Sequence, residues 1–147
     1  MPHVLTYESR KILCLNYIIT MRFHTRKWIK PEDLNANGTL FGGRLLEWID
    51  EEAALYSIVQ LENQKIVTKF ISEIDFIASA KQGDVIEIGI KPVKFGKASL
   101  TLSCEVRNMM TRETIITISN IVMVNIGPDG KVLPHGKTQV EYVKDRL

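Results

Sequence analysis

The sequence predicts an α+β domain in which an antiparallel sheet wraps one long helix. Residues from about Gly43 to Leu61 carry apolar side chains around so much of a helical circumference that one contact face would not cover them. Most of the chain beyond them runs in short stretches rich in Ile and Val, several with strand-like alternation. Neither an internal repeat nor a second domain is visible in the 147 residues, a length suited to one hydrophobic core.

The first stretch, SRKILCLNYIITM at residues 9–21, has the basic flank and short apolar run of a signal peptide. Asn16 interrupts it, no small-residue cleavage site comes after, and Arg22 and His24 stand directly beyond. Residues 1–21 therefore read as a dispensable N-terminal extension, with Met21 a plausible alternative start, and residues 22–137 as the domain. RFHTRKWI, residues 22–29, reads as a strand ended by Pro31, which opens the loop PEDLNANGTLFGG. On the next element, the helix, Arg44, Glu47 and Glu51 share a narrow polar wedge. Leu45, Trp48, Leu55 and Val59 lie opposite, and Leu46, Ala53, Ala54 and Ser57 cover the flank from which Asp50 projects.

KIVTKFISEIDFIASA, residues 65–80, is ambiguous. Its apolar positions 66, 67, 70, 71, 74 and 77 suit a helical period, while its Ile and Val content and the QGD turn after it suit a strand, bulged if so. VIEIGIKPV, ASLTLSCEV and TIITISNIVMVNI read as three further strands, joined through Lys94-Phe95-Gly96-Lys97 and NMMTRET. Pro128-Asp129-Gly130 closes the last, and residues 138–147 form a polar tail.

Composition excludes several classes. Hydrophobic residues are 45% and charged residues 24%, as in ordinary globular proteins. A formal charge of +2 is too slight to argue for nucleic acid. No apolar run approaches the roughly 18 residues of a membrane span. Cys14 and Cys104 have no metal or redox spacing and read as buried free thiols in a reducing cytoplasm.

The chemistry concentrates in NANGTLFGG and in the first turns of the helix after it. The plain reading is a turn: Asn-Gly favours one, and Gly42-Gly43 lets the backbone bend tightly before a helix. The second reading adds Asp50. A helix start leaves unpaired N–H groups that suit an oxygen becoming negative during reaction, and glycines there let a substrate approach. A carboxylate two turns on, beside small residues, is costly to bury unless it is paired or used. A salt bridge or a solvated edge remains open for it. An oxyanion site, a carboxylate and an amide side chain together suit acyl transfer to water, the carboxylate taking a proton from water or attacking the acyl carbon. No G-x-S-x-G elbow or phosphate loop is present. His3, His24 and His135 are scattered without a second metal ligand at useful spacing and read as surface or capping residues.

P-E-D-L-N-A-N-G-T-L-F-G-G followed by L-L-x-W-I-D-E-E-A-A resembles the signature of hotdog-fold acyl-CoA thioesterases, in particular the single-domain bacterial acyl-CoA hydrolases related to the cytosolic (brain) enzyme. The similarity continues at KFGKASLTLSCEV and NIGPDGKVLP, so it spans about residues 22–135. The resemblance implies a helix wrapped by an antiparallel sheet, with residues 65–80 as strand. It also implies a homodimer with active sites between subunits, often assembled as a hexamer, acting on acyl-CoA in the cytoplasm without a cofactor. By matching position, Asp50 is the catalytic acid, Asn35 the catalytic asparagine meeting it from the opposite subunit, and Gly43 the source of the N–H facing the thioester carbonyl. Phe41-Gly42-Gly43 replaces the His-Gly-Gly of many relatives, a familiar variant, and Phe41 and Gly42 are expected beside the substrate. Lys94, Lys97 and Arg112 are expected near CoA phosphates, and Ser99 near the pantetheine arm. A hydroxyacyl dehydratase is the first alternative, although its His-Phe-Pro motif is missing. A noncatalytic acyl-CoA sensor is the second, although twenty extra residues are too few for a helix-turn-helix.

Overall fold

The computed structural model describes residues 6–8 and 21–141. His3, Cys14 and most of the N-terminal extension, with residues 142–147 of the tail, lie outside the described residues. Six strands form one antiparallel sheet: β1 (Arg22–Trp28), β2 (Ile66–Ile71), β3 (Ile74–Phe76), β4 (Val85–Phe95), β5 (Ser99–Asn108) and β6 (Thr114–Asn125). Their order is β1-β4-β5-β6-β2, with β3 also pairing β6, and helix α1 (Gly42–Leu61) packs on one face. This is the helix-on-sheet layout expected of a hotdog fold.

Alternation decides which face meets the helix. Ile86, Ile88 and Ile90 of β4, Leu100, Leu102, Cys104 and Val106 of β5, and Ile116, Ile118, Ile121 and Met123 of β6 are all buried in one core. Cys104 is a free buried thiol. Burial, reinforced by Glu52 and Glu105, pushes its pKa up to about 12, so it stays protonated and unreactive near neutrality. Leu102 sits at the centre with no exposed surface. Leu102→Ala is expected to destabilise the fold by about 2–5 kcal/mol, read as a lower midpoint in urea unfolding.

Residues 66–76 resolve the ambiguous segment as two short strands. The register of β2 against β6 slips between Thr68 and Phe70, and the strand is broken between Ile71 and Ile74. Both interruptions shift the pleat, which is why the apolar spacing imitates a helix.

The helix differs from its expected wheel. Its buried residues are Leu45, Ile49, Ala53, Tyr56, Ser57, Gln60 and Leu61, a stripe repeating at three and four residues. Leu55, expected inside, is half exposed, and in the single chain the sheet covers only one side of the helix. Asp50, for which a buried position and a solvated edge were both open, is exposed.

Candidate active site

The loop before α1 is held at many points. Asp33 is buried, accepts the Lys30 N–H at 2.9 Å and lies 3.4 Å from Arg44 Nε in the first helical turn. The Phe41 N–H donates to Asp33 O, and the Leu40 N–H to Ala80 O. Between these anchors Asn35 organises its own turn: its Oδ1 accepts the N–H groups of Asn37 (2.9 Å) and Thr39 (3.2 Å), while Nδ2 donates to Thr39 Oγ1 (3.0 Å). Two backbone donors on one atom fix which end of the amide is oxygen. One Nδ2–H remains for a ligand. The plain reading of the loop as an asparagine-nucleated turn is therefore correct as far as it goes.

Helix α1 begins without help. Among the described residues no side chain caps Phe41, the N-cap position, and the first turn holds no acid. The first N–H groups are thus left to solvent or to a ligand, with the positive end of the helix dipole behind them. The glycines are less open than expected. A Cβ on Gly43 would lie 2.7 Å from the Phe41 ring, and one on Gly42 3.3 Å from the Phe76 ring. A side chain at Gly43 would therefore force the Phe41 ring to move, whereas one at Gly42 would ask only a slight yielding of Phe76. Asn35 and Gly42 line a pocket of about 390 Å³ with Thr39, Leu45 and Phe76.

Asp50 lies outside that pocket. Its Oδ1 accepts a hydrogen bond of 2.5 Å from Thr68 Oγ1 on β2. Thr68 in turn lines a groove of about 540 Å³ over Val67, Val124 and Val132, whose polar rim includes Lys97, Ser99 and Lys69. Asp50 does not itself line this groove: Thr68 Oγ1 turns to Asp50 and to Met123 Sδ, while its neighbour Val67 pairs with Val124 on the groove floor.

Lys97 and Ser99 stand together in this groove, and Lys94 is exposed at the same end of the sheet. Arg112 does not join them. It sits beyond the other end of β5, about 30 Å away at strand spacing, and is drawn into an ion pair with the buried Glu87 at 2.7 Å, which Arg107 also contacts at 2.9 Å. Neither described histidine serves Asp50: His135 contacts Ser99 O, and His24 lies near Arg22 and Glu52, its pKa lowered first by burial and then by Arg22. Among the described residues no cluster of His, Cys, Asp and Glu suits a metal, and no helix is long and apolar enough to cross a membrane.

Sequence reasoning missed the Thr68–Asp50 bond, the segment being hidden by the bulge beside it, and the half-buried contacts of His135. Thr68→Val keeps the shape and removes the bond. The loss of that bond is expected to lower stability by about 0.5–1.5 kcal/mol, read as a small fall in the urea midpoint.

Comparison with known proteins decides the family. The family described as Thioesterase superfamily matches residues 37–115, more than half of the chain. The chain belongs to the thioesterase superfamily. Among relatives in this superfamily, acyl-CoA thioester hydrolase YciA of Salmonella typhimurium is 30% identical over 110 residues, 71% of this chain and 82% of the relative. An uncharacterized acyl-CoA thioester hydrolase of Buchnera aphidicola is 30% identical over 76 residues, covering 52% of this chain. That alignment spans just over half of the relative, 56%. Among solved structures, an apo-hexameric acyl-CoA thioesterase superposes with a TM-score of 0.70 at 32% identity, covering 83% of this chain and 76% of that one. The thioesterase superfamily thus accounts for both the helix-on-sheet fold and the loop-to-helix signature.

Proposed function

We propose that this chain hydrolyses acyl-CoA thioesters to free acid and CoA in the cytoplasm, as a homodimer assembled further into a trimer of dimers. The observation that carries the reading is the division of the site. The uncapped helix start and Asn35 lie at one pocket, while Asp50 lies outside it, bonded to Thr68 on edge strand β2, so in this reading a second copy brings them together. The surface supports such a copy. Edge strand β2 exposes Val67 and Phe70, and Phe76, Ile77 and Phe41 stand about half exposed nearby. An apolar strand edge of this kind is a liability unless paired.

In this reading the thioester carbonyl accepts the Gly43 N–H, with Phe41 rotating from its place across Gly43. The remaining N–H of Asn35 orients water or the acyl group. Asp50 of the other subunit, aligned by Thr68, either takes a proton from water or attacks the acyl carbon. The thiol of CoA leaves along the Lys97–Ser99 groove, where lysines suit its phosphates. The relatives' names support acyl-CoA as substrate, and the hexameric structural relative supports the assembly. The test is thiol release from acyl-CoAs of short to long chain by wild type, Asp50→Ala and Asn35→Asp. A wild-type protein that bound acyl-CoA without releasing thiol would leave the sensor reading in its place.

A further inference from the structure

After β6 the chain turns at Pro128–Gly130 and doubles back, Ile126 bridging to Val132 and the Leu133 N–H donating to Asn125 O. His135 comes next, half-buried, and is engaged on every side. Its backbone N–H donates to Lys97 O at 3.1 Å. Its Nε2 lies 2.9 Å from Ser99 O, and its Nδ1 accepts the Lys137 N–H at 2.9 Å. The ring stands edge-on to Phe95, centroids 6.3 Å apart. A backbone N–H can only donate, so Nδ1 is unprotonated and Nε2 carries the hydrogen given to Ser99 O. The segment beyond is fastened as well: Lys137 Nζ contacts Glu62 at 2.7 Å and Glu141 at 2.9 Å, at the far end of α1.

The bonds of His135 converge on the wall of the groove that Val67 and Val124 floor and Thr68 borders. Lys97, Ser99 and Val132 all line it. The β4–β5 turn is tight from its own side too, since the Gly96 N–H donates to Ser99 O and a Cβ at Gly96 would collide with Ser99 Oγ. His135 holds that turn from the opposite side.

We infer that His135 is a positioning residue for the substrate groove, holding Lys97 and Ser99 at the spacing that accepts the long phosphorylated arm of the leaving thiol. It never touches the reacting carbonyl. The inference rests on the thioesterase reading above, and its signature is a change in KM without a change in kcat.

Two variants separate the bonds. Asparagine at 135 offers an oxygen near the place of Nδ1, preserving the turn to Lys137, but falls short of Ser99. Glutamine reaches Ser99 with an amide N–H. Each is assayed with a short acyl-CoA and with the same acyl group on N-acetylcysteamine, a thiol lacking the nucleotide. His135→Asn is expected to raise KM for acyl-CoA about tenfold with kcat within about twofold, and to leave kcat/KM for the truncated substrate within about twofold. His135→Gln is expected to stay within about threefold of wild type on both. An unchanged KM in His135→Asn, or an equal loss on both substrates, would overturn the proposal. Should His135→Asn not fold, Phe95→Leu loosens the same ring and is expected to raise KM about threefold; no rise overturns it equally. Wild type releasing no thiol from any acyl-CoA sinks the thioesterase reading instead. Calorimetric binding of CoA itself then decides the groove, weaker binding to His135→Asn supporting the role and equal binding removing it.

Discussion

Asp50→Ala is expected to cut thiol release from acyl-CoA by about 10³-fold at saturating substrate, with KM within about threefold. The loss should fall on chemistry because little else depends on this carboxylate. It is exposed on α1, and its hydrogen-bond partner is Thr68. Surface substitutions of that kind usually move stability by no more than about 0.5 kcal/mol, so the variant should unfold with wild type in the same urea series. A folded Asp50→Ala retaining more than a tenth of wild-type turnover would remove Asp50 from the mechanism. Multiple turnovers in oxygen-18 water then separate its two possible roles. A general base leaves the heavy oxygen in the released acid alone. A nucleophile forms an anhydride, and water attacking its Asp50 carbonyl leaves heavy oxygen in the side chain, visible as a mass increase of the peptide containing Asp50.

What could be read from the sequence divides along physical lines. The helix start and the three long strands were legible because Gly42-Gly43 and uninterrupted alternation are local signals. Residues 66–76 were not, because a bulge at Thr68/Phe70 and a break after Ile71 replaced period two with a spacing near four. The helix wheel erred for a different reason. Leu45, Ala53 and Ser57 are buried as expected, but Leu55 is apolar yet half exposed and Gln60 polar yet buried, so counting apolar residues drew the covered face too wide. The proposed site residues Asn35, Gly43 and Asp50 stand in one contiguous signature, which is what a sequence records best. Thr68 and His135 bond to partners 18 and 36 residues away, which no local pattern records. Arg112 illustrates the reverse error: a basic residue in a turn looks available for phosphate until Glu87 is seen 2.7 Å from it.

The proposed division of the site between two copies makes the other large prediction. Asn35→Asp keeps an oxygen for the N–H groups of Asn37 and Thr39, so the turn survives, but the N–H that would face substrate is gone. Alone it should be about as inactive as Asp50→Ala, roughly 10²–10³-fold down. Co-expressed in equal amounts, the two variants should recover about a quarter of wild-type turnover. Random pairing makes half of the dimers mixed. In a mixed dimer one site joins the intact Asp50 of one chain to the intact Asn35 of the other, and the second site collects both lesions. If Asn35 and Asp50 served one substrate from the same chain, every site would carry a lesion and the mixture would stay at the level of the single variants. Measuring the co-purified mixture with a short acyl-CoA, against each variant alone, therefore reads subunit sharing directly. No recovery, with mixed dimers demonstrated by two affinity tags, would return both residues to a single chain and leave the exposed β2 edge without a catalytic reason to pair.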